Sequence, residues 1–130
     1  MTRNKKKNLY LSLGAGALII VLGFFLNGTK NEDDSGLKMF AQCLENKGAK
    51  FYGAFWCSHC NAQKEIFSQA AKYLPYIECS TLDRKGQLPE CQKNKITGYP
   101  TWVFADGSQL AGSLPLGILA EKTACALPQA

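Results

Sequence analysis

At 130 residues the chain has room for one modest domain and not for two. Its formal charge of +5 comes from 15 Lys and Arg against 10 Asp and Glu, but four of the basic residues, Arg3, Lys5, Lys6 and Lys7, stand together at the start. Without them eleven Lys and Arg face ten Asp and Glu, which excludes a basic field for nucleic acid over the rest of the chain.

Residues 9–26 form an apolar run with no charged residue. As a helix rising about 1.5 Å per residue it reaches roughly 27 Å, close to the hydrocarbon thickness of a bilayer. The preceding basic segment, residues 1–8, is expected on the cytoplasmic side, which places whatever follows the span across the membrane. A cleaved signal peptide begins in the same way, yet its apolar region is shorter and ends at small residues, whereas the exit here reads Asn27-Gly28-Thr29-Lys30. A core helix is the bland alternative, and hydrophobicity on every face of the run argues against it. An uncleaved transmembrane anchor over 9–26 is the expectation. Residues 27–35 are polar and aperiodic and read as a linker, leaving 36–130 as the folded head.

Apolar residues at 37, 40, 41 and 44 repeat with the spacing of an amphipathic helix, capped by Asp34 or Ser35 and ended by Gly48. Residues 51–56 are apolar and too few for a helix, which suits a strand buried on both faces. A second helix is expected from near Cys57 to about Tyr73, burying Ile66, Phe67, Ala70 and Ala71 and closed by Pro75; residues 76–79 read as the next strand. Strand, helix and strand in that order imply a parallel crossover unit. A short helix is expected over 89–94. Two strands, 101–105 and 108–111, flank Asp106-Gly107, a two-residue hairpin signal. A last helix spans about 114–124 with Pro115 in its first turn. The result is an α/β domain whose mixed central sheet is flanked by helices.

Six cysteines stand at 43, 57, 60, 79, 91 and 125. An even number in an exported domain of this size favours disulfides, although six allow fifteen complete pairings. Trp56-Cys57-Ser58-His59-Cys60 carries the chemistry. Two intervening residues bring both sulfurs onto one helical turn. At a helix start Cys57 meets unpaired backbone N–H groups and the positive end of the dipole, which favour a thiolate. Cys57 is therefore expected to be the exposed nucleophile and Cys60 the resolving thiol. His59 is expected to stabilise the Cys57 thiolate by a hydrogen bond or partial charge, which makes the disulfide a stronger oxidant; a solvated loop histidine is the plainer reading.

Phe55-Trp56-Cys57-Ser58-His59-Cys60 followed by Gly98-Tyr99-Pro100-Thr101 resembles the thioredoxin superfamily. More narrowly, residues 52–60, 76–79 and 96–102 resemble the thioredoxin-like domains fused to, or partnering, bacterial vitamin K epoxide reductase homologues. The similarity covers about residues 37–125. It implies a thioredoxin-like fold, a cis Pro100 beside the cysteine pair, and a substrate groove bordered by Trp56, Tyr99 and Pro100. It also implies a structural Cys79–Cys91 disulfide, since relatives of this type carry a similar extra pair; closing so short a loop contributes about 3 kcal/mol in the chain-entropy account. A redox relay is the other reading of that pair. Cys43 and Cys125 are then left to each other. The chain departs from its relatives in two places: Ser58 stands where many carry proline, and Phe51 stands where cytosolic thioredoxins keep a buried acid, which weakens a general reductase reading.

The function expected is a membrane-anchored thiol–disulfide oxidoreductase that oxidises or isomerises disulfides in exported proteins, its electrons passing to a quinone-linked partner resembling vitamin K epoxide reductase. Cys57, Cys60 and His59 carry the reaction, with no cofactor and no metal. The head is expected in a periplasmic, lumenal or extracellular space. A reductase for a narrow client set is the near alternative. Finger-like spacing of Cys57 and Cys60, completed by Cys79, Cys91 or His59, allows a zinc module, and a tethered binding domain with purely structural cysteines is the third reading.

Overall fold

The structure is a computed structural model and describes residues 31–129. The expected cytoplasmic segment 1–8 and anchor 9–26 lie outside those residues. Among the described residues no helix is long and apolar enough to cross a membrane.

Helix α1, Asn31–Asn46, buries Phe40, Ala41 and Leu44. It starts inside the stretch read as linker, so residues 31–35 are helical. Its end is a Schellman closure: Gly48, at φ +77, donates to the Glu45 carbonyl (2.9 Å) and Ala49 donates to the Leu44 carbonyl (3.0 Å). Strand β1, Lys50–Gly53, follows, and helix α2 spans Ser58–Ile66.

The single helix expected to reach Tyr73 is divided. Ser68 takes a left-handed φ of 48, and Ser68–Tyr73 continues as a 3-10 helix. With three residues per turn instead of 3.6, the second segment keeps Phe67 and Ala70 buried and Ala71 half-buried, while Ile66 is 40% exposed rather than in the core.

Strand β2 is Tyr76–Glu78, helix α3 Pro89–Lys93, strands β3 and β4 Thr101–Val103 and Gln109–Ala111, and helix α4 Leu116–Thr123. The sheet order is β2-β1-β3-β4. β1 and β2 run parallel around the α2 crossover, and β1–β3 and β3–β4 are antiparallel. The expected two-residue hairpin is longer by one: Phe104 donates to the Ser108 carbonyl (3.0 Å) across a turn with Gly107 at φ +81. A left-handed glycine closing a three-residue loop restores the strand twist that a plain type I turn would splay.

Because side chains alternate along a strand, β1 feeds two cores. Phe51 joins Trp102, Phe40, Leu44, Phe67 and Leu119 in the larger cluster, which also contains Cys57 and Cys60. Tyr52 joins Cys79, Cys91 and Ile96 in a smaller one.

Candidate active site

Cys57 is the N-cap residue of α2, with extended φ −80 and ψ 118. It occupies the place where Ser or Asp commonly accepts a hydrogen bond from the first turn, and its Sγ accepts the backbone N–H of Cys60 at 3.2 Å. The residue is held from both sides, its own N–H donating to the Ala54 carbonyl (3.0 Å) and its carbonyl accepting from Asn61 N–H (3.1 Å). A backbone donor is thus aimed at the sulfur at the N-terminus of the helix. Cys57 is only 7% exposed, so the expected open nucleophile is largely covered; Cys60 is 0% exposed. The outer sulfur is still the more accessible of the two. His59 faces solvent, and it is the Cys60 backbone N–H, not His59, that bonds the Cys57 sulfur.

Cys60 reaches the sheet because β1 ends in glycine. A Cβ on Gly53 would stand 2.7 Å from Tyr76 Cε2 and 3.1 Å from Cys60 Sγ, so any side chain there would displace the ring or the resolving thiol. Phe51, in place of a buried acid, stacks on Trp102 (4.9 Å between centroids) and meets Tyr76 edge-on (5.2 Å). The Tyr76 ring and the Cys60 thiol thus close on the same point of β1. Burial, and then its hydrogen bond with Cys57, push the Cys60 thiol up to about 12.

Glu78, at the end of β2, ties the approach to the helix together. Its Oε1 accepts Phe55 N–H (3.3 Å) and Ser80 N–H (2.8 Å), and its Oε2 accepts the Tyr76 hydroxyl (2.7 Å). Burial and that bond raise the Tyr76 phenol above its ordinary range, and Lys64 Nζ lies 3.5 Å from the centroid of the same ring. Trp56 is 44% exposed, and its ring meets Tyr99 edge-on at 6.1 Å. The Tyr99–Pro100 bond is cis and Pro100 is buried.

The other four cysteines are paired, Cys43 with Cys125 between α1 and the end of α4, and Cys79 with Cys91 between the end of β2 and α3. Cys57 and Cys60 are free. Cys79 and Cys91 are thus spent on each other and leave a zinc site short of ligands; among the described residues no three His, Cys, Asp or Glu side chains gather where they could hold a metal ion.

Sequence reasoning missed Gly53, Glu78, Ser80 and Gln87. A glycine closing an apolar strand is a signal of close backbone approach, and a lone carboxylate ending a half-buried strand calls for partners. Ser80 and Gln87 offered no such signal, since each acts on a residue far along the chain.

Residues 38–121 match the thioredoxin family. Over 94 residues, 69% of this chain, the sequence is 48% identical to the thiol–disulfide oxidoreductase LTO1 of Arabidopsis thaliana. The match covers 25% of that protein, so the chain spans about a quarter of its relative's length. With a Cys-x-x-Cys pair capping the first helix after a parallel-sheet strand, a cis proline before β3 and a family match over most of the head, the chain belongs to the thioredoxin family.

Proposed function

We propose that this thiol–disulfide oxidoreductase oxidises or isomerises disulfides in exported proteins while anchored to a membrane through residues 9–26. A client thiolate attacks Sγ of Cys57 in the Cys57–Cys60 disulfide, and Cys60 leaves as a thiolate and takes up a proton. The second client thiol then displaces Cys57, so the client loses two electrons and the pair gains them. The reduced pair passes them to a quinone-linked membrane protein resembling vitamin K epoxide reductase. The observation that carries the reading is the division among the cysteines: four are locked in two disulfides, and the pair left free has one sulfur at a helix N-cap. Trp56, Tyr99 and Pro100 border the client chain, and His59 is exposed between the two cysteines. The partner and the head's extracytoplasmic placement rest on the resemblance of residues 52–60, 76–79 and 96–102 and on the basic residues before the apolar run. Confinement to the membrane plane raises the effective concentration of such a partner.

Trapping with Cys60→Ala in the full chain tests the reading. Without its resolving thiol, Cys57 is expected to hold mixed disulfides with exported clients and with a membrane reductase. Recovery of cytoplasmic clients alone would overturn the placement. A reduction potential near thioredoxin's about −270 mV, rather than towards about −120 mV, would replace the oxidase with a reductase.

A further inference from the structure

Trp56 and Tyr99 are each held by their polar tip. Trp56 Nε1 donates to Ser80 Oγ at 2.7 Å, and Gln87 Nε2 donates to Tyr99 Oη at 2.8 Å. Ser80 and Gln87 face each other across an antiparallel bridge, the neck of the loop that follows β2. Each side chain makes a further bond. The Ser80 hydroxyl donates onward to the Thr81 carbonyl (2.9 Å), and the Gln87 amide also donates to the Ile96 carbonyl (2.8 Å). Ser80 is only 4% exposed.

The neck is fixed from below. Cys79 immediately precedes Ser80, Leu88 N–H donates to the Cys79 carbonyl (2.7 Å), and Cys91 N–H donates to the Leu88 carbonyl (3.0 Å). The Cys79–Cys91 disulfide closes this circuit. Two aromatic rings, contributed by segments more than forty residues apart, are thus set at their edge-to-face angle of 80° by two neighbours on one stapled loop.

We propose that Ser80 and Gln87 are positioning residues for client recognition, and that the Cys79–Cys91 disulfide serves this reaction by anchoring them. Neither side chain is bonded to a reacting sulfur. They act through Trp56 and Tyr99, keeping both rings in place before a client arrives, so the encounter does not have to order them. The ligand class is an extended polypeptide that lays apolar side chains beside its cysteine against the exposed faces of Trp56 and Phe55. The inference rests on the reading that Trp56 and Tyr99 border the client chain.

The test is single-turnover oxidation of a reduced, unfolded cysteine-containing polypeptide by the oxidised full chain, with half-saturating concentration and limiting rate read separately. Ser80→Ala and Gln87→Ala are each expected to raise the half-saturating concentration about fivefold to tenfold, the scale of one hydrogen bond, with the limiting rate changed less than about twofold. Ser80→Thr keeps the acceptor and is expected to recover the original value, and quenching of Trp56 fluorescence by acrylamide should rise in Ser80→Ala alone of that pair. Trp56→Ala, measured in parallel, separates the two layers. If it weakens binding while Ser80→Ala and Gln87→Ala do not, the positioning role is overturned and the groove stands. If Trp56→Ala leaves binding unchanged, the groove reading falls and this inference with it. A fall in limiting rate with no change in half-saturation, or no recovery by Ser80→Thr, would reduce Ser80 and Gln87 to structural residues and overturn the proposal.

Discussion

The two faces of the sheet are built on different terms. On one, Phe51 and Trp102 stack under Phe40, Leu44, Phe67 and Leu119, drawn from two helices and the 3-10 junction. On the other, Tyr52 packs with Ile96 and the Cys79–Cys91 pair under one short helix. Apolar burial contributes roughly 25 cal/mol per Å², and the first face has the larger share of it, with the Cys43–Cys125 link packed against the same cluster. The second has few buried side chains, and its Cys79–Cys91 link makes up much of what core there is. The active-site helix rests on the larger face, whereas the loop that holds Trp56 and Tyr99 rests on the smaller one, much of whose core is the disulfide itself.

Removing each disulfide in turn is the strongest way to break this comparison. In the chain-entropy account the Cys43–Cys125 link, with a sequence separation of 82, contributes about 4.5 kcal/mol, and Cys79–Cys91, with a separation of 12, about 3 kcal/mol. If the two faces were equivalent, urea unfolding of Cys43→Ala/Cys125→Ala and Cys79→Ala/Cys91→Ala would follow that ranking. Because Cys79 and Cys91 also make up much of the smaller core, the second variant is expected to lose at least as much as the first. A loss of about 3 kcal/mol or less from Cys79→Ala/Cys91→Ala would show that the smaller face does not depend on its staple.

Truncation within the larger face comes next. Phe51 is fully buried and packed against both Trp102 and Tyr76, so Phe51→Ala is expected to cost about 3–5 kcal/mol. A cost near 1 kcal/mol by the same denaturation measurement would mean that this core collapses around the gap and is less tightly built than its contacts imply.

Much of this division could be read along the chain, and the unread parts share a cause. The apolar rows at 37, 40, 41 and 44 and the brief run at 51 state which elements face a core. Cys-x-x-Cys after such a run places the first cysteine at a helix cap, where Cys57 stands. Local patterns carry these statements. The break at Ser68 turns on a single left-handed residue that leaves the apolar pattern intact, so Ile66 looked like core. Helix α1 begins at Asn31, before any apolar residue announces it. Glu78 reaching Phe55 N–H, Ser80 reaching Trp56 and Gln87 reaching Tyr99 join residues 23, 24 and 12 positions apart. No period in the sequence encodes such meetings; they exist only once the sheet has brought the segments together.

The environment of Cys60 gives a kinetic consequence on the larger face. Resolution of a mixed disulfide requires the Cys60 thiolate, and burial, the chief cause that lifts this thiol up to about 12, persists when Cys57 is bonded to a client. Below that value the thiolate fraction grows with pH, so rising pH speeds resolution. The lifetime of a Cys57–client mixed disulfide is therefore expected to shorten by roughly tenfold per pH unit between about pH 6 and about pH 8. Quenched-flow trapping with acid and gel separation measures it. A lifetime independent of pH would mean that another group takes the Cys60 proton within the complex.

The smallest expected effect lies on the smaller face and has the opposite sign. Tyr52 is fully buried, and its hydroxyl has no hydrogen-bond partner among the described residues. Burial, followed by the charge of Glu90, pushes this phenol above its ordinary range, so the group is neutral at any physiological pH. A buried donor left unmade costs about 1–3 kcal/mol of desolvation, and removing the oxygen relieves that cost while keeping the ring. Tyr52→Phe is accordingly expected to stabilise the head by up to about 1 kcal/mol, a rise of several degrees in Tm at this size, whereas the same hydroxyl deletion on a satisfied tyrosine destabilises. A loss of stability in calorimetry would reveal a partner for the Tyr52 hydroxyl, and the smaller core would then be a polar network rather than a sparse apolar layer closed by a disulfide.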